Sequence, residues 1–364
     1  MYQKIVNFIN LLNSFKLSFH LPQSKKILLY DEGHSEILKQ IIKKDFNILR
    51  VRRKKIYIWI YLKQIIFFDF SFKTYCKNFI KFTSPKIIIT LNAKREEFFK
   101  LKDSFKDIYF ISVMSGICFN DTFKNKKNLK SKNFKCDYFF ALNKYYIKKF
   151  QKFIDSEYHI LGHHKNNLVK VNKTKFHGQF LFLSGLYRYE YTKNFNKKLL
   201  NFINLYLSNN DKKLHILLRD LSKSSLQEEI DFYKKIFSSN CVFHNSSRWK
   251  KKYEILDNFE NIICTISGMG YEAIARKKKI AFFTPNMMEG SKYYFGWPAP
   301  NNAQKRQNFF STKKLTYNEV ERVLNNINNC SQTIWEKKHY PIIKDQSYFN
   351  KNNTKLRNVI LKLI

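Results

Sequence analysis

The stretch TISGMGYEAIA, from Thr265 to Ala275, combines residue types that can hold an anion. It follows an apolar run typical of a buried strand and looks like a helix start, where free amides and partial positive charge favour a diphosphate. We predict that the Ser267 hydroxyl caps this helix and that the glycines leave the backbone open. The predicted phosphate donors are the amides of Gly268, Met269, Gly270 and Tyr271. The alternative is a structural turn, because G-x-G alone is a weak signal.

Two charged side chains could complete such a site. Glu272 stands two residues after Gly270, and we predict it in the first helical turn. There it would accept hydrogen bonds from ribose hydroxyls or else complement the helix dipole. Arg219 follows the apolar run HILL and could offer its guanidinium fork to the same phosphates. The alternative for Arg219 is a surface pair with Asp220.

A second group of candidates lies in LLYDEGHSEIL, where Asp31, Glu32 and His34 follow an apolar run. A carboxylate or imidazole at a strand end is a candidate general base for an attacking hydroxyl. Helix capping by Asp31 and a solvated Glu32 are the structural alternatives. The adjacent His163 and His164 lack further ligands at metal spacing, so we expect loop or interdomain surface there and no metal site.

These residues need elements that bring them to one edge of a sheet. Short apolar runs alternate with helical patterns, which is typical of parallel strands covered on both faces. We predict an α/β fold with two Rossmann-like domains facing a cleft. The predicted pieces are an N-terminal domain over 1–170, a linker near 163–178, a C-terminal domain over 179–345 and a terminal helix over 346–364. The predicted strands lie at 25–31, 86–90, 108–113, 137–142, 158–162, 179–185, 213–220, 241–244, 261–267 and 279–284.

The glycines favour a ligand at the strand ends. The chain has only 9 glycines in 364 residues, and most fall at or just after the end of a predicted strand. That edge is where open α/β sheets bind ligands, although ordinary turns use glycine as well. The glycines concerned are Gly33, Gly116, Gly162, Gly185, Gly268 and Gly270.

Composition narrows the functional classes. Hydrophobic residues make up 44% of the chain and aromatic residues 17%, which argues against global disorder. The net charge of +39 suggests nucleic-acid binding, but 56 lysines outnumber 11 arginines beside abundant Asn, Ile, Phe and Tyr. Genome base composition explains that bias, and specific recognition would favour arginine. We therefore expect no specific nucleic-acid partner, but a surface that attracts anionic small molecules or an anionic membrane face.

The chain lacks the patterns of secreted and membrane-spanning proteins. Its six cysteines are scattered without metal or disulfide spacing, as in a reduced cytoplasmic protein. The first 19 residues lack a signal-peptide pattern and show helical amphipathic spacing. The run IYIWIYLKQIIFFDF is shorter than a membrane span needs. We expect a cytoplasmic protein with peripheral contact to an anionic inner membrane.

Several longer stretches resemble bacterial surface carbohydrate biosynthesis proteins, which have the look of two-domain glycosyltransferases of the GT-B architecture. The resemblance covers most of the chain and is most specific in SSRWKKKYEILDNFENIICTISGMGYEAIARKKKIAFFTPN at 246–286 and FGWPAP at 295–300. Other matching pieces are KKILLYDEGHSEIL, SPKIIITLNAKREEFFKLKDSFKDIYFISVMSG and CDYFFALN. The resemblance implies an acceptor-side N-terminal domain and a C-terminal domain that holds a nucleotide-sugar donor.

The resemblance also implies a reaction class. It implies transfer of a sugar to a glycan or lipid-linked glycan acceptor, with no obligatory metal and no cofactor beyond the nucleotide-sugar co-substrate. The chain departs from the family pattern at three places, which read Leu91-Asn92-Ala93, Met114-Ser115-Gly116 and Ser267-Gly268-Met269-Gly270. The family usually has Asp-Asn-Asn, Gln-Asn-Gly and Ser-Thr-Leu-Gly there. Three alternatives stay open: a CDP-linked polyol-phosphate transferase of the same fold, a catalytically inactive glycan-assembly scaffold, and a basic nucleic-acid-binding protein.

Overall fold

The computed structural model describes residues 16–51, 55–65, 69, 71–93, 95–116, 134–185, 190–219, 222–265, 267–283, 309–312 and 314–364. The chain divides into two compact units. The first unit takes the described residues of Met1–Ser115, Asn128–His164 and Asn350–Ile364, and the second takes those of Gly116–Lys127 and Lys165–Phe349. The boundaries 1–170, 179–345 and 346–364 stay predictions, because compactness does not show which pieces fold alone.

The first unit is built on a six-stranded parallel sheet with the order β3-β2-β5-β6-β7-β8. Its central strands β2 and β5 are short apolar runs that are buried at every position, as expected for strands covered on both faces. A separate parallel ladder joins β1 to β4. The strands are β1 (Lys16–Ser18), β2 (Ile27–Tyr30), β3 (Asn47–Leu49), β4 (Lys55–Tyr57), β5 (Ile87–Thr90), β6 (Tyr109–Val113), β7 (Phe134–Ala141) and β8 (Ile154–Ile160).

The second unit holds another six-stranded parallel sheet, with the order β11-β10-β9-β12-β13-β14. Counted from its own first strand, the order is 3-2-1-4-5-6, that of the dinucleotide-binding α/β folds. The predicted α/β class with two Rossmann-like sheets is therefore confirmed, and the cleft between them stays a prediction. The strands are β9 (Phe176–Leu183), β10 (Leu214–Leu217), β11 (Cys241–His244), β12 (Phe259–Cys264), β13 (Lys279–Phe283) and β14 (Ser311–Thr312).

Helices connect the strands and begin where the sequence offers caps. Ser71 and Asn143 cap their helices by accepting hydrogen bonds from the amides of Thr74 and Tyr146, each at 3.1 Å. The helices are α1 (Ser35–Ile42), α2 (Ile58–Ile65), α3 (Phe72–Thr83), α4 (Glu96–Lys102), α5 (Lys144–Phe150), α6 (Glu190–Asn209), α7 (Lys223–Phe237), α8 (Trp249–Asp257), α9 (Gly268–Ala275), α10 (Tyr317–Asn329), α11 (Gln332–Ile334), α12 (Tyr340–Ile343) and α13 (Thr354–Leu363). Short 3-10 turns lie at Asn166–Leu168, Lys344–Gln346 and Lys351–Asn353, and a π turn lies at Trp335–His339. Helix α13 belongs to the first unit, where it packs near α1.

All ten predicted strands are present, with ends shifted by up to four residues. The strands that the sequence did not reveal are β1, β3, β4 and β14, which have only two or three residues and so show no periodicity. The run predicted as too short for a membrane span forms β4 followed by α2. No helix in the described part of the chain is both long and apolar enough to cross a membrane.

The predicted linker near 163–178 begins with buried residues, whereas residues 170–173, 175 and 177 are exposed. His163 is 4% exposed, and His164, Asn166 and Asn167 are buried as well. Hydrogen bonds from buried side chains hold His164 and Asn166, so the polar composition of this first part does not mark a solvated loop. The alternative of an interdomain surface stays a prediction. Two other predictions lie outside the described residues: the amphipathic pattern over residues 1–15 and the FGWPAP segment at 295–300.

Candidate functional site

The candidate site of the second unit lies where three neighbouring strands end. Strand β9 pairs with β10 on one side and with β12 on the other, and the three strands end level with one another. Ser184, Arg219 and Thr265 follow these strands and therefore reach the same sheet edge. The strand order reverses between β9 and β12, and such a switch point opens the crevice in which α/β sheets bind ligands.

Helix α9 begins at this edge. Ser267 occupies the N-cap position with an extended backbone (φ −144°, ψ 130°). Its hydroxyl makes no capping hydrogen bond among the described residues, so the predicted side-chain cap is wrong. The Ser267 carbonyl instead accepts from the Gly270 amide at 3.1 Å, which tightens the first turn. The first-turn amides of Gly268 and Met269 have no intrahelical acceptor and remain suitable donors for an anion.

The two glycines of the junction have different surroundings. A Cβ atom at Gly268 would meet no atom within 4 Å, so the backbone is open there. A Cβ atom at Gly270 would lie 2.4 Å from Cys264 Sγ and 3.2 Å from Phe282 Cε1, so Gly270 lets α9 pack directly against β12 and β13. Gly270 is therefore a packing residue. Its amide already donates to the Ser267 carbonyl, so Gly270 leaves the predicted set of phosphate-binding amides.

The side chains of Met269 and Tyr271 also serve the packing of α9. Met269 is half-buried against the core of the second unit. Tyr271 is buried, and its ring centroid lies 5.6 Å from that of Phe282. Both side chains therefore fix the helix on the sheet.

Thr265 contributes a polar group that the sequence analysis did not select. It is 1% exposed, and its Oγ1 has no hydrogen-bond partner among the described residues. Leaving a buried hydroxyl without a partner costs about 1–3 kcal/mol. A ligand oxygen at this edge would supply the partner, so Thr265 fits a binding role.

The Ser184 hydroxyl, in contrast, is engaged by α7. It donates to the Glu229 carboxylate and lies 2.8 Å from Tyr233 Oη. Burial raises the pKa of Glu229, and the hydrogen bond from Ser184 opposes that rise. The positive charge of Arg219 opposes it too, while Arg219 itself is exposed. Ser184 thus anchors the strand end, and the guanidinium of Arg219 stays accessible at the edge.

Glu272 lies one turn further along α9 than we predicted. It is the fifth residue of the helix, because the helix already begins at Gly268. Its carboxylate accepts a hydrogen bond from Tyr253 Oη of α8. Burial, and then the charge of Glu272, raise the pKa of Tyr253 well above its ordinary value. Glu272 is half-buried and held by this contact, and its role toward a ribose stays a prediction.

In the first unit, Asp31 shapes the turn after β2. It is 2% exposed and has a left-handed backbone with φ 78°. One carboxylate oxygen accepts from the Gly33 amide at 3.4 Å, and the other lies 3.7 Å from the Arg95 guanidinium. This geometry favours a structural role for Asp31 over a role as a base, but the expected helix cap is wrong, because His34 is the N-cap of α1.

Glu32 and His34 lie at the switch point of the first sheet, where the strand order reverses between β2 and β5. Both are half-buried. His34 is the N-cap residue of α1 with φ 66°, and its ring lies edge-on to that of His164 with centroids 5.5 Å apart. His164 is buried, and its carbonyl accepts a hydrogen bond from Asn353 Nδ2 at 2.9 Å. Glu32 and His34 therefore remain the candidate bases.

Three of the departures from the family pattern are buried apolar positions in this chain, whereas Ser115 is exposed and Gly268 and Met269 are half-buried. Leu91, Ala93 and Met114 are each at most 3% exposed. The Asn92 amide donates to Thr90 Oγ1 at 3.1 Å, which closes the turn after β5. Buried apolar side chains thus stand at Leu91, Ala93 and Met114, where the family pattern has polar side chains. No group of three or more His, Cys, Asp or Glu residues in the described ranges is arranged to hold a metal ion.

The sequence analysis missed Thr265, Ser184, Glu229 and Tyr253. The first two carry a usable signal, since each directly follows a buried strand. Glu229 and Tyr253 lie inside helices and look like ordinary helix positions, so only the contacts reveal them.

A family model described as "putative O-antigen biosynthesis protein" matches residues 111–364, which is more than half of the chain. A sequence search against curated proteins found no match. A glycosyltransferase from Rickettsia africae is similar in structure, with a TM-score of 0.55 at 10% identity over 93% of this chain and 98% of that chain.

Two further solved structures share the architecture. The wall teichoic acid polymerase TagF with CDPG has a TM-score of 0.52 at 12% identity, over 100% of this chain and 97% of that chain. UDP-GlcNAc 2-epimerase from Neisseria meningitidis bound to UDP-GlcNAc has a TM-score of 0.55 at 9% identity, over 96% and 100%. At such low identity these likenesses establish the fold alone.

Proposed function

The chain belongs to the O-antigen biosynthesis family whose model matches residues 111–364, and from this premise we propose that it transfers a sugar from a nucleotide-sugar donor to a glycan acceptor. The observation that supports the donor site is the junction after β12. Open backbone at Gly268, the buried Thr265 hydroxyl and the start of α9 meet there at a switch point of the sheet. A nucleotide sugar carries a diphosphate, which is the group that such a junction favours.

In the proposed reaction, an acceptor hydroxyl attacks the anomeric carbon of the sugar. The bond from that carbon to the diphosphate oxygen breaks, and the nucleoside diphosphate leaves with the bonding electrons. Negative charge then grows on the leaving phosphate. The first-turn amides of α9, the hydroxyls of Thr265 and Ser267 and the Arg219 guanidinium would stabilise that charge, and the backbone amides are fixed before the reaction begins.

The acceptor hydroxyl must lose a proton during this transfer. Glu32 and His34 are our candidates for the base, because both follow β2 at the first sheet's switch point. Asp31 is the weaker candidate, because it is buried beside Arg95. The proposed acceptor is a glycan or lipid-linked glycan, and the proposed location is the cytoplasmic side of the inner membrane.

The proposal is tested by nucleotide binding to the full chain. We expect a panel of UDP-, GDP-, dTDP- and CDP-linked donors to contain at least one that raises the melting temperature, since ligand at 100 times Kd adds about 2.7 kcal/mol. Gly268→Val should weaken binding of that donor more than tenfold, because the side chain would fill the open backbone. Gly116→Val is the matched control, since a Cβ atom there also meets nothing within 4 Å.

Product analysis by mass spectrometry separates the alternatives. Transfer of a sugar with release of a nucleoside diphosphate supports the proposal. Transfer of a polyol phosphate with release of CMP would make the chain a CDP-linked polyol-phosphate transferase. A free sugar whose NMR spectrum shows it to be an epimer of the donor's sugar would make the chain an epimerase. If the melting temperature rises with none of the donors, the proposed donor site is wrong.

A further inference from the structure

The first unit exposes a patch of large apolar side chains on β1, α2, α3 and the segment after β1. Trp59 is 53% exposed, Phe19 65% and Leu21 54%. Leu21, Trp59 and Phe82 line one cavity of about 530 Å³, and Trp59 Nε1 donates to the Phe19 carbonyl at 2.7 Å. The apolar patch consists of Leu17, Phe19, Leu21, Trp59, Leu62 and Phe82. Exposed large apolar side chains that gather around one cavity in this way mark a contact with another molecule or with a membrane.

Lysines adjoin the apolar patch. A second cavity of about 720 Å³ is lined by Lys25, Lys26, Lys39, Lys43 and Lys44. Asp45 is the one acidic side chain among the described residues that line it. This lysine cavity lies near the apolar patch, because Ser24, the residue before Lys25, donates from Oγ at 2.7 Å to the carbonyl of Thr83, the residue after Phe82. Lys81 lines the apolar cavity itself.

We propose that the apolar patch and the lysine cavity together dock the protein on the surface of an anionic lipid bilayer. Trp, Phe and Leu side chains enter the boundary between headgroups and acyl chains, and lysines beside them bind anionic headgroups. The indole N–H of Trp59 already has a carbonyl partner, so the ring can leave water without an unsatisfied donor. A nucleic acid would use the lysines and leave the apolar side chains without a role.

The docking surface lies away from the candidate base. Lys25 and Lys26 precede β2, and Phe82 and Thr83 precede β5, so the surface gathers at the edge where these strands begin. Glu32 and His34 follow β2 at the opposite edge of the same sheet. Docking therefore leaves that edge free. This inference assigns a surface to the proposed membrane location, and its test needs no donor or acceptor.

The test is flotation of the full chain with vesicles. We expect binding to phosphatidylglycerol–phosphatidylethanolamine vesicles at low salt, and at least tenfold weaker binding to phosphatidylcholine vesicles or at 0.5 M salt. Trp59→Glu with Phe82→Glu should weaken binding at least tenfold. The matched control is Leu205→Glu with Ile342→Glu, which changes exposed apolar residues of the second unit (48% and 57% exposed) and should bind normally.

A charge-matched pair tests the lysines. Lys39→Glu with Lys44→Glu should weaken binding at least tenfold, since each lysine near an anionic surface contributes about a fivefold factor. Lys234→Glu with Lys235→Glu makes the same change in net charge on α7 and should have a smaller effect. Trp59→Phe should keep binding but abolish most of the blue shift in tryptophan emission, which checks the surface without a fold-disrupting change.

Three results would overturn the inference. The first is absence of binding to anionic vesicles. The second is normal binding by the folded Trp59→Glu, Phe82→Glu variant, with folding checked by circular dichroism. The third is a stable dimer of the wild-type chain in sedimentation that this variant abolishes, because the apolar patch would then bind a second copy of the chain.

Discussion

At the scale of single residues, the two glycines in the turn after β12 have different structural roles. Gly268 opens the backbone at a helix start, whereas Gly270 admits the Cys264 side chain beneath the helix. The open backbone that we predicted at Gly270 is therefore replaced by a packing role. The substitution that tests donor binding is therefore made at Gly268.

We predict that Gly270→Ala lowers the free energy of unfolding by about 1–3 kcal/mol, the usual cost of overpacking. The added methyl would lie 2.4 Å from Cys264 Sγ. Denaturant titration should show most of the loss restored in a Gly270→Ala, Cys264→Ala double variant, because the clashing sulfur is gone. Gly268→Ala is the control and should change stability by less than about 0.5 kcal/mol. Equal losses for the two single variants would contradict the assignment.

We predict that Glu272→Gln weakens nucleotide-sugar binding by about 1–3 kcal/mol, the scale of a hydrogen bond to a charged group. Glutamine keeps the shape and an acceptor oxygen for Tyr253, so the melting temperature should hardly change. Tyr253→Phe is the control: it removes the hydrogen bond that Glu272→Gln keeps, and should lower stability with little effect on affinity. Calorimetric titration measures both. A folded Glu272→Gln protein with undiminished affinity would remove Glu272 from the site.

At the scale of elements, one buried arginine joins three segments of the second unit. Arg276 follows α9, and its Nε donates to Asp257 at the end of α8 at 2.6 Å. Its terminal nitrogens donate to the Asn166 side chain at 2.8 Å and to the carbonyls of Val169 and Lys170 at 3.2 and 3.0 Å. Both charged side chains are 0% exposed. Arg276 thus holds the segment predicted as a linker against the ends of α8 and α9 in the second unit.

We predict that Arg276→Ala lowers the free energy of unfolding by about 3–5 kcal/mol, because it leaves the Asp257 carboxylate buried without its partner. Arg276→Lys should recover only part, since one ammonium cannot replace a planar fork with several donors. An Arg276→Met, Asp257→Asn double variant should be more stable than Arg276→Ala, since no charge is then buried alone. Urea titration of the three variants decides this. A loss below about 1 kcal/mol for Arg276→Ala would refute the fastening role.

The strands β10 and β11 carry a pH-sensitive pair. His215 Nδ1 lies 2.9 Å from His244 Nε2, and the rings stack with centroids 5.2 Å apart. Burial, and then the neighbouring His244, lower the pKa of His215 to about 4, and burial lowers that of His244. The folded state therefore binds protons less readily than the unfolded chain, where histidine has a pKa of about 6.5.

We predict that this pair stabilises the fold fully above pH 6.5 and that its contribution is lost as the pH falls toward 4, because protonation then favours the unfolded chain. The free energy of unfolding should be lower at pH 5 than at pH 7.5. His215→Phe keeps an aromatic ring beside Phe176 and Phe259 and should flatten that dependence. If the variant and the wild-type chain lose the same stability between the two pH values, the histidine pair is not responsible.

At the scale of the whole molecule, the net charge of +39 acts on every anionic partner. We predict that RNA binds without sequence preference and that its affinity falls by about 10³-fold or more between 50 and 200 mM salt, as for a protein that contacts several phosphates. The affinity for a nucleotide sugar should fall far less, because that ligand carries few charges. Fluorescence anisotropy at the two salt concentrations measures both. Tight, sequence-specific RNA binding at 200 mM salt would favour the nucleic-acid alternative.

The sequence by itself determined which segments become strands and helices. Runs such as IIIT at β5 and KIAFF at β13 are apolar at successive positions, and this local pattern reports burial on both faces of a parallel sheet. The glycine-marked junction at Ser267 was predictable for the same reason, since a strand, a turn and a helix start are all written in consecutive residues. The α/β class and the place of α9 therefore followed from local patterns.

Only the tertiary structure decided which strand ends meet and which polar groups are buried. The order β11-β10-β9-β12 brings Arg219 and Thr265, far apart in the chain, to one sheet edge. Contacts across the fold also set the packing role of Gly270, the Tyr253 contact of Glu272 and the burial of His164. The physical reason is that strand order and burial are set by long-range packing, which composition and periodicity of a short segment do not encode.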